Sequence, residues 1–218
     1  VVVSQFMLTF GSDPNAKVTK KSKSPLSFHP IALIFGLLSF VSYLVEGAVG
    51  DWSALYLFED KGIVIEEAVM GVMLFNGTMC IGRLLGNRLG KHLTSKQVVV
   101  GGYLLGSIAM GLIVFLPGHA SMYTYLLLGI SLAMIVPNLF SAMGEQNVIP
   151  MTQAVATSTM LGYMGILMGP ALIGFIAHGT SLTVAFIVLT TLLVVSAGIG
   201  KYAYHLMSKD CGLSEEQI

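Results

Sequence analysis

The sequence predicts an all-α membrane protein, with six transmembrane helices arranged as two inverted three-helix repeats. Three observations carry the prediction. Only 10% of the 218 residues are charged and 55% are hydrophobic, with a mean hydropathy of +0.82. A soluble domain carries about 25% charged residues, and a water-facing surface built from so few charges would be left with large apolar patches. The apolar residues also fall into six runs, each near the ~20 residues that a helix needs to cross a bilayer. Finally, ten of the eleven Lys and Arg residues fall on one side of a six-span arrangement.

The runs are Ile31–Leu57, Ala68–Gly86, Val98–Pro117, Met122–Met143, Ala154–Ala177 and Leu182–His205. The breaks between them carry charge or turn chemistry: Glu59-Asp60-Lys61-Gly62, Asn87-Arg88 through Lys96, Pro117-Gly118-His119, Glu145 through Thr152, and His178 through Ser181. No run alternates with period two, which argues against a membrane β-barrel. Lys17, Lys20, Lys21 and Lys23 precede the first run. Arg83, Arg88, Lys91 and Lys96 surround the second connection, and Lys201 and Lys209 lie at the end of the last run. Lys61 alone lies opposite, beside Glu59, Asp60, Glu66 and Glu67. By the positive-inside rule both ends are cytoplasmic.

The six runs form a bundle over residues 31–206. Residues 1–10 are apolar but too short to cross, and the chain starts at Val. They read as the end of a truncated preceding helix. A signal-peptide h-region would need a basic leader and a small-residue cleavage site, and neither is present. Residues 11–30 are rich in Lys, Ser and Pro and read as a flexible cytoplasmic central loop. Residues 207–218 read as a polar cytoplasmic tail.

Several function classes drop out. The formal net charge of 0 argues against a nucleic-acid partner. Cys80 and Cys211 form no disulfide framework and lack zinc-ligand spacing. The five histidines lie near run ends without paired spacing, and there is no G-x-S-x-G, Walker A or C-x-x-C. The sequence points to no enzyme, no cofactor and no metal.

The six runs divide into the triplets Ile31–Pro117 and Met122–His205. An odd number of helices per triplet makes them run in opposite senses, as in many secondary transporters. The middle run of each is punctuated by glycine. Gly82, Gly86 and Gly90 are spaced by four, as are Gly165 and Gly169, and such spacing lets helix backbones approach closely.

Polar groups inside the runs are the site candidates, because a charge at mid-bilayer costs about 2.5–3.5 kcal/mol on insertion scales. Ser39, Ser42, Tyr43, Glu46, Gly50 and Ser53 share helical spacing and read as the wall of a wetted cavity. Glu46 would be a proton or cation site, or else a carboxylate paired to a helix partner or wetted by a vestibule, roughly 22 Å from the start of the run, in the outer half of the membrane. Asp51 and Trp52 would sit near the outer interface. Asn76 and Arg83 share a face of the second run. Asn138, Ser141 and Glu145 share a face of the fourth, where Pro137 frees a backbone carbonyl. Asn138 would bond a solute or glue helices. Arg83 and Glu145 would pair near the cytoplasmic face, as a gate latch or a structural pin. Tyr163 would line the cavity beside Thr159.

The loop Gly82-Arg83-Leu84-Leu85-Gly86-Asn87-Arg88-Leu89-Gly90-Lys91-His92 resembles the signature loop of the major facilitator superfamily. Arg88, Gly90 and Lys91 fit that pattern. Asn87 stands where the family has Asp, and Gly82 is one position early. The run Gly162 through Phe175, G-Y-M-G-I-L-M-G-P-A-L-I-G-F, is similar to the family's eleventh helix. Glu46 through Leu57 is similar to the seventh helix of a MosC-like, fucose-permease-like bacterial subgroup. The resemblance implies the C-terminal half of a twelve-helix transporter of a bacterial inner membrane. Its partners would be the bilayer, a small solute and an N-terminal six-helix half. It also implies alternating access, driven by a proton gradient. Glu46, Asn138, Tyr163 and Asn76 would face the cavity. Arg83, Gly86, Asn87, Arg88, Gly90, Lys91 and Glu145 would form the cytoplasmic gate. The competing readings are a non-transporting scaffold or sensor subunit and a homodimeric six-span transporter.

Overall fold

A computed structural model describes residues 29–89, 93–146 and 149–211. Among them lie α1 (Pro30–Glu59), α2 (Ile65–Leu89), α3 (Ser95–Phe115), α4 (Gly118–Ala133), α5 (Ile135–Glu145), α6 (Met151–Gly179) and α7 (Leu182–Cys211). Helices α4 and α5 make up one span, so six helical segments are long and apolar enough to cross a membrane. Each contains one of the six apolar runs or all but its last residues. The expected terminal segments 1–10 and 11–28, and the tail from 212, lie outside the described residues.

Local chemistry explains the element ends. Pro30 opens α1, where its missing N–H costs nothing, and His29 Nδ1 accepts from the Ile31 amide at 3.3 Å. Thr94 and Gln97 form a reciprocal capping box at the start of α3. Gly62, at φ +68°, makes the left-handed turn between α1 and α2 that a side chain would oppose. Pro137 cannot bond the Ala133 carbonyl, and α4 ends at that residue.

The turn after α1 is pinned from two sides. Lys61 Nζ donates to the Val114 and Leu116 carbonyls at 2.6 and 3.0 Å, which closes the C-terminus of α3. It also lies 5.3 Å from the centre of the Tyr56 ring. Burial pushes the Lys61 ammonium below the usual lysine range, partly opposed by the Asp60 charge. Asp60 accepts from Thr183 Oγ1 at 2.8 Å, and this ties the turn to α7. Nearby, His119 Nε2 meets Glu67 Oε2 at 2.7 Å.

Glycines set the packing. The most extensive seam joins α1 and α6. A Cβ on Gly165 would collide with the Phe40 carbonyl, and one on Gly169 would lie 2.5 Å from the Leu44 carbonyl oxygen. A Cβ on Gly47 would sit 2.8 Å from the Ile166 oxygen, the carbonyl that Pro170 deprives of its helical N–H partner. A second seam joins α2 to α4, with Gly82 against Ile130 and Ala133 and Gly129 against Phe75 and Thr78, while Gly71 makes room for Leu57 of α1. Helix α7 packs mainly on α3. Helices α2 and α6 are the least covered: 28% and 22% of their apolar windows are buried, against 61% for α1. They flank an open face of the bundle.

Candidate functional site

Among the described residues, the open face carries one charge pair. Arg83 Nη2 donates to Glu46 Oε2 at 3.2 Å and Oε1 at 3.4 Å. The Glu46 side chain is 23% exposed and that of Arg83 45%. Glu46 is the seventeenth of the 30 residues of α1, and Arg83 the nineteenth of the 25 of α2. The carboxylate therefore stands just past the midpoint of α1, counted from Pro30. A pair at this depth offsets part of the cost of either charge alone, and removing one partner leaves the other stranded.

One turn before Glu46, Tyr43 stacks on Tyr163 of α6, with ring centres 6.2 Å apart and planes at 16°. Gly162 makes room for it, since a Cβ there would sit 2.7 Å from the Tyr43 ring. Two aromatic faces and a charge pair thus lie together on the α1 surface. Trp52 marks the far end of the same seam. Its Nε1 donates to the Pro170 carbonyl at 2.9 Å, and Gly174 lets the indole lie close, since a Cβ there would be 2.8 Å from the ring. Trp52 is therefore a helix–helix fastener, a role its sequence position near a span end does not reveal.

The polar stripe of α1 splits. Tyr43, Glu46 and Gly50 reach the open side, whereas Ser39, Ser42 and Ser53 are buried in the bundle. At 100° per residue, Ser42 and Ser53 lie on the opposite flank of Glu46 from Tyr43 and Gly50. That flank meets α3: Ser42 Oγ donates to Tyr103 Oη at 2.8 Å, and Tyr103 donates to the Leu38 carbonyl at 2.7 Å. The stripe is half cavity-facing and half interhelical packing.

The remaining candidates are dispersed. Asn76 is exposed and donates to the Val72 carbonyl at 3.0 Å. Asn138 is partly buried and donates to the Met134 carbonyl at 2.8 Å, and Ser141 donates to Pro137 at 3.1 Å. Both residues of α5 therefore bond the backbone around the break in the fourth span. Gly86 sits under the Met134 side chain. Arg83 meets Glu46, while the side chain of its expected partner Glu145 lies outside the described residues. So do the side chains of Asn87 and Arg88, and all of Gly90 and Lys91.

An apolar bundle of six spans, with a polar cluster on its open face, defines a helical integral membrane protein. The chain belongs to the major facilitator superfamily. It is 41% identical over 168 residues to an uncharacterized MFS-type transporter of Yersinia pestis, covering 76% of this chain and 43% of that protein. It is 30% identical over 170 residues to membrane protein MosC of Rhizobium meliloti, covering 77% and 42%. The fold matches the crystal structure of the Escherichia coli fucose:proton symporter FucP with a TM-score of 0.71 at 16% identity, over 84% of this chain and 47% of that one. No protein-family model matches the chain. The chain thus spans less than half the length of the curated relatives it matches.

Proposed function

We propose that this chain is the C-terminal six-helix half of a proton-coupled permease for a small solute, and that Glu46 and Arg83 line its solute passage. The observation that carries this reading is the pair itself: opposite charges deep in two apolar spans, partly exposed on the face the bundle leaves open. Charges at such depth face a bundle interior or a water-filled cavity, not lipid. A second half packed over α2 and α6 would turn this face into a cavity wall. In this reading the protein lies in a bacterial inner membrane, in keeping with its bacterial relatives, and the distribution of lysines and arginines favours a cytoplasmic side for both ends. The chemistry is transport without an enzymatic step.

In this reading a proton on Glu46 neutralises the carboxylate and leaves the Arg83 guanidinium unpaired. Arg83 can then hold an anionic or hydroxyl-bearing solute through its fork of N–H donors. Tyr43 and Tyr163 offer flat apolar surfaces beside it, and Asn76 and Asn138 flank the passage. Loss of the proton restores the pair and releases the solute. Gly86, Asn87, Arg88, Gly90, Lys91 and Glu145 form the cytoplasmic gate, and Arg83 passes from that group to the passage.

The test is gradient-driven uptake by the intact transporter in proteoliposomes, with proton entry followed by an internal pH dye across a panel of small solutes. Glu46→Gln is expected to lower gradient-driven accumulation at least about tenfold, the size of effect for one half of a buried charge pair. Exchange between equal solute pools should persist. Arg83→Lys keeps the charge but not the fork, and should raise the solute KM. An unchanged gradient response in Glu46→Gln would overturn the assignment.

A further inference from the structure

A cavity of about 710 Å³ lies between the first turns of α3 and the C-terminal part of α7, lined by Lys96, Val100, Gly101, Leu104 and Lys201 together with Thr94 and Gln97. It belongs to neither the glycine seams nor the Glu46 face. Its lining residues, all among those described, include two lysines and no carboxylate. Thr94 and Gln97 are neutral and bond each other in the capping box; the charged groups of the cavity are Lys201 and Lys96, the latter with a further contact of its own.

The crevice continues along the same two helices. A second cavity of about 290 Å³ is lined by Val114, Phe115, Ile187, Thr190, Thr191 and Val194. On α3 the positions 97, 101, 104, 108, 111 and 115 recur at helical spacing, as do 201, 198, 194, 191 and 187 on α7. Glycines keep the crevice open: a Cβ on Gly101 or Gly198 would meet nothing within 4 Å. Ile108 is 57% exposed along the way. One end is therefore basic and the rest apolar.

We propose that this crevice binds an anionic phospholipid, with the headgroup phosphate between Lys96 and Lys201 and an acyl chain along Val100, Gly101, Leu104 and Ile108. Lys96 and Leu104 are eight residues apart on α3, about 12 Å along the axis, which lies within one leaflet of a hydrocarbon core about 30 Å thick. A free phosphate would have no use for the apolar length. A peptide would need backbone hydrogen-bond partners, and beyond the lysines the walls are apolar, with the Thr190 and Thr191 hydroxyls already donated to the Phe186 and Ile187 carbonyls. Basic pockets between membrane helices at the leaflet surface hold lipid headgroups by this chemistry.

Native mass spectrometry of the detergent-purified protein tests it, using phosphatidylglycerol and phosphatidylcholine with matched acyl chains. Phosphatidylglycerol should be retained about 30-fold more tightly, as two lysines at an anionic headgroup imply. Lys96→Gln with Lys201→Gln should abolish the preference. Lys209→Gln, an exposed lysine one α7 turn or two beyond the cavity, should leave it intact. Gly101→Leu, which fills open space and keeps both charges, should weaken the retention of both lipids. Equal binding of the two lipids, or a preference that survives the double substitution, would overturn the proposal. So would displacement of phosphatidylglycerol by millimolar inorganic phosphate, which would mark a plain anion site.

Discussion

The α1–α6 and α2–α4 seams are counterparts, each joining the first helix of one triplet to the middle helix of the other, yet they are closed by different atoms. In both, a glycine of the first helix meets a carbonyl of the middle helix: Gly47 against Ile166, and Gly129 against Phe75. The middle helices differ. Gly165 and Gly169 of α6 press on backbone at Phe40 and Leu44, whereas Gly82 and Gly86 of α2 press on the side chains of Ile130, Ala133 and Met134. Backbone in a helix cannot step aside, but a methionine can change rotamer. The first seam is fixed by main chain at Phe40, Leu44 and Ile166, whereas the second is fixed at Phe75 and Ala133 but can adjust where Gly86 meets Met134.

The strongest way to break this contrast is Gly165→Ala. Overpacking against backbone should cost about 3 kcal/mol, read as loss of thermal stability in detergent. Adding Phe40→Ala should restore nothing, because the collision is with the Phe40 carbonyl and not its ring. Trp52→Phe comes next. It removes the indole donor to Pro170 and should cost about 1 kcal/mol in the same assay.

Gly86→Ala should cost less, about 1 kcal/mol, and Met134→Ala in the same protein should recover most of it. If Gly86→Ala proved as damaging as Gly165→Ala and resisted that rescue, the two seams would be alike. The smallest effect concerns the turn that joins α1 to α2. Folded Lys61 loses its proton more easily than the unfolded chain does, so the unfolded state holds more protons between the two pKa values. Stability should therefore rise as pH climbs toward the ordinary lysine value and fall as pH drops through the lowered one. A shallow upward slope in melting temperature, flattened in Lys61→Met, is the expected result.

Much of the fold was legible because its signals are local. Span lengths, charged breaks and Pro137 all read directly, and the spacing of Gly82–Gly86 and Gly165–Gly169 marked both seams. The site was legible only in part. Glu46 and Tyr163 were visible as polar or aromatic residues in apolar runs, but the partner of Arg83 was not. Partnership across two helices depends on how far the turn between them shifts their register. Glu46 lies 13 residues before the end of α1, and the same distance into α2 leads to Thr78, five residues short of Arg83. A mirrored count about the turn, with allowance for the reach of arginine, would have pointed to Glu46 as a partner. The splitting of the serine stripe was hidden for another reason: a stripe about 100° wide has two flanks, and only the neighbouring helices decide which is dry.

The main-chain seam between α1 and α6 has a mechanical consequence. Two rods keyed together by carbonyls, with an indole bolt at Trp52, cannot slide past each other by small steps. Any tilt imposed on one must be carried by the other as a single beam. Displacement within this bundle would then fall on the softer joint beside α2, and the salt link between Glu46 and Arg83 bridges the stiff beam to that joint.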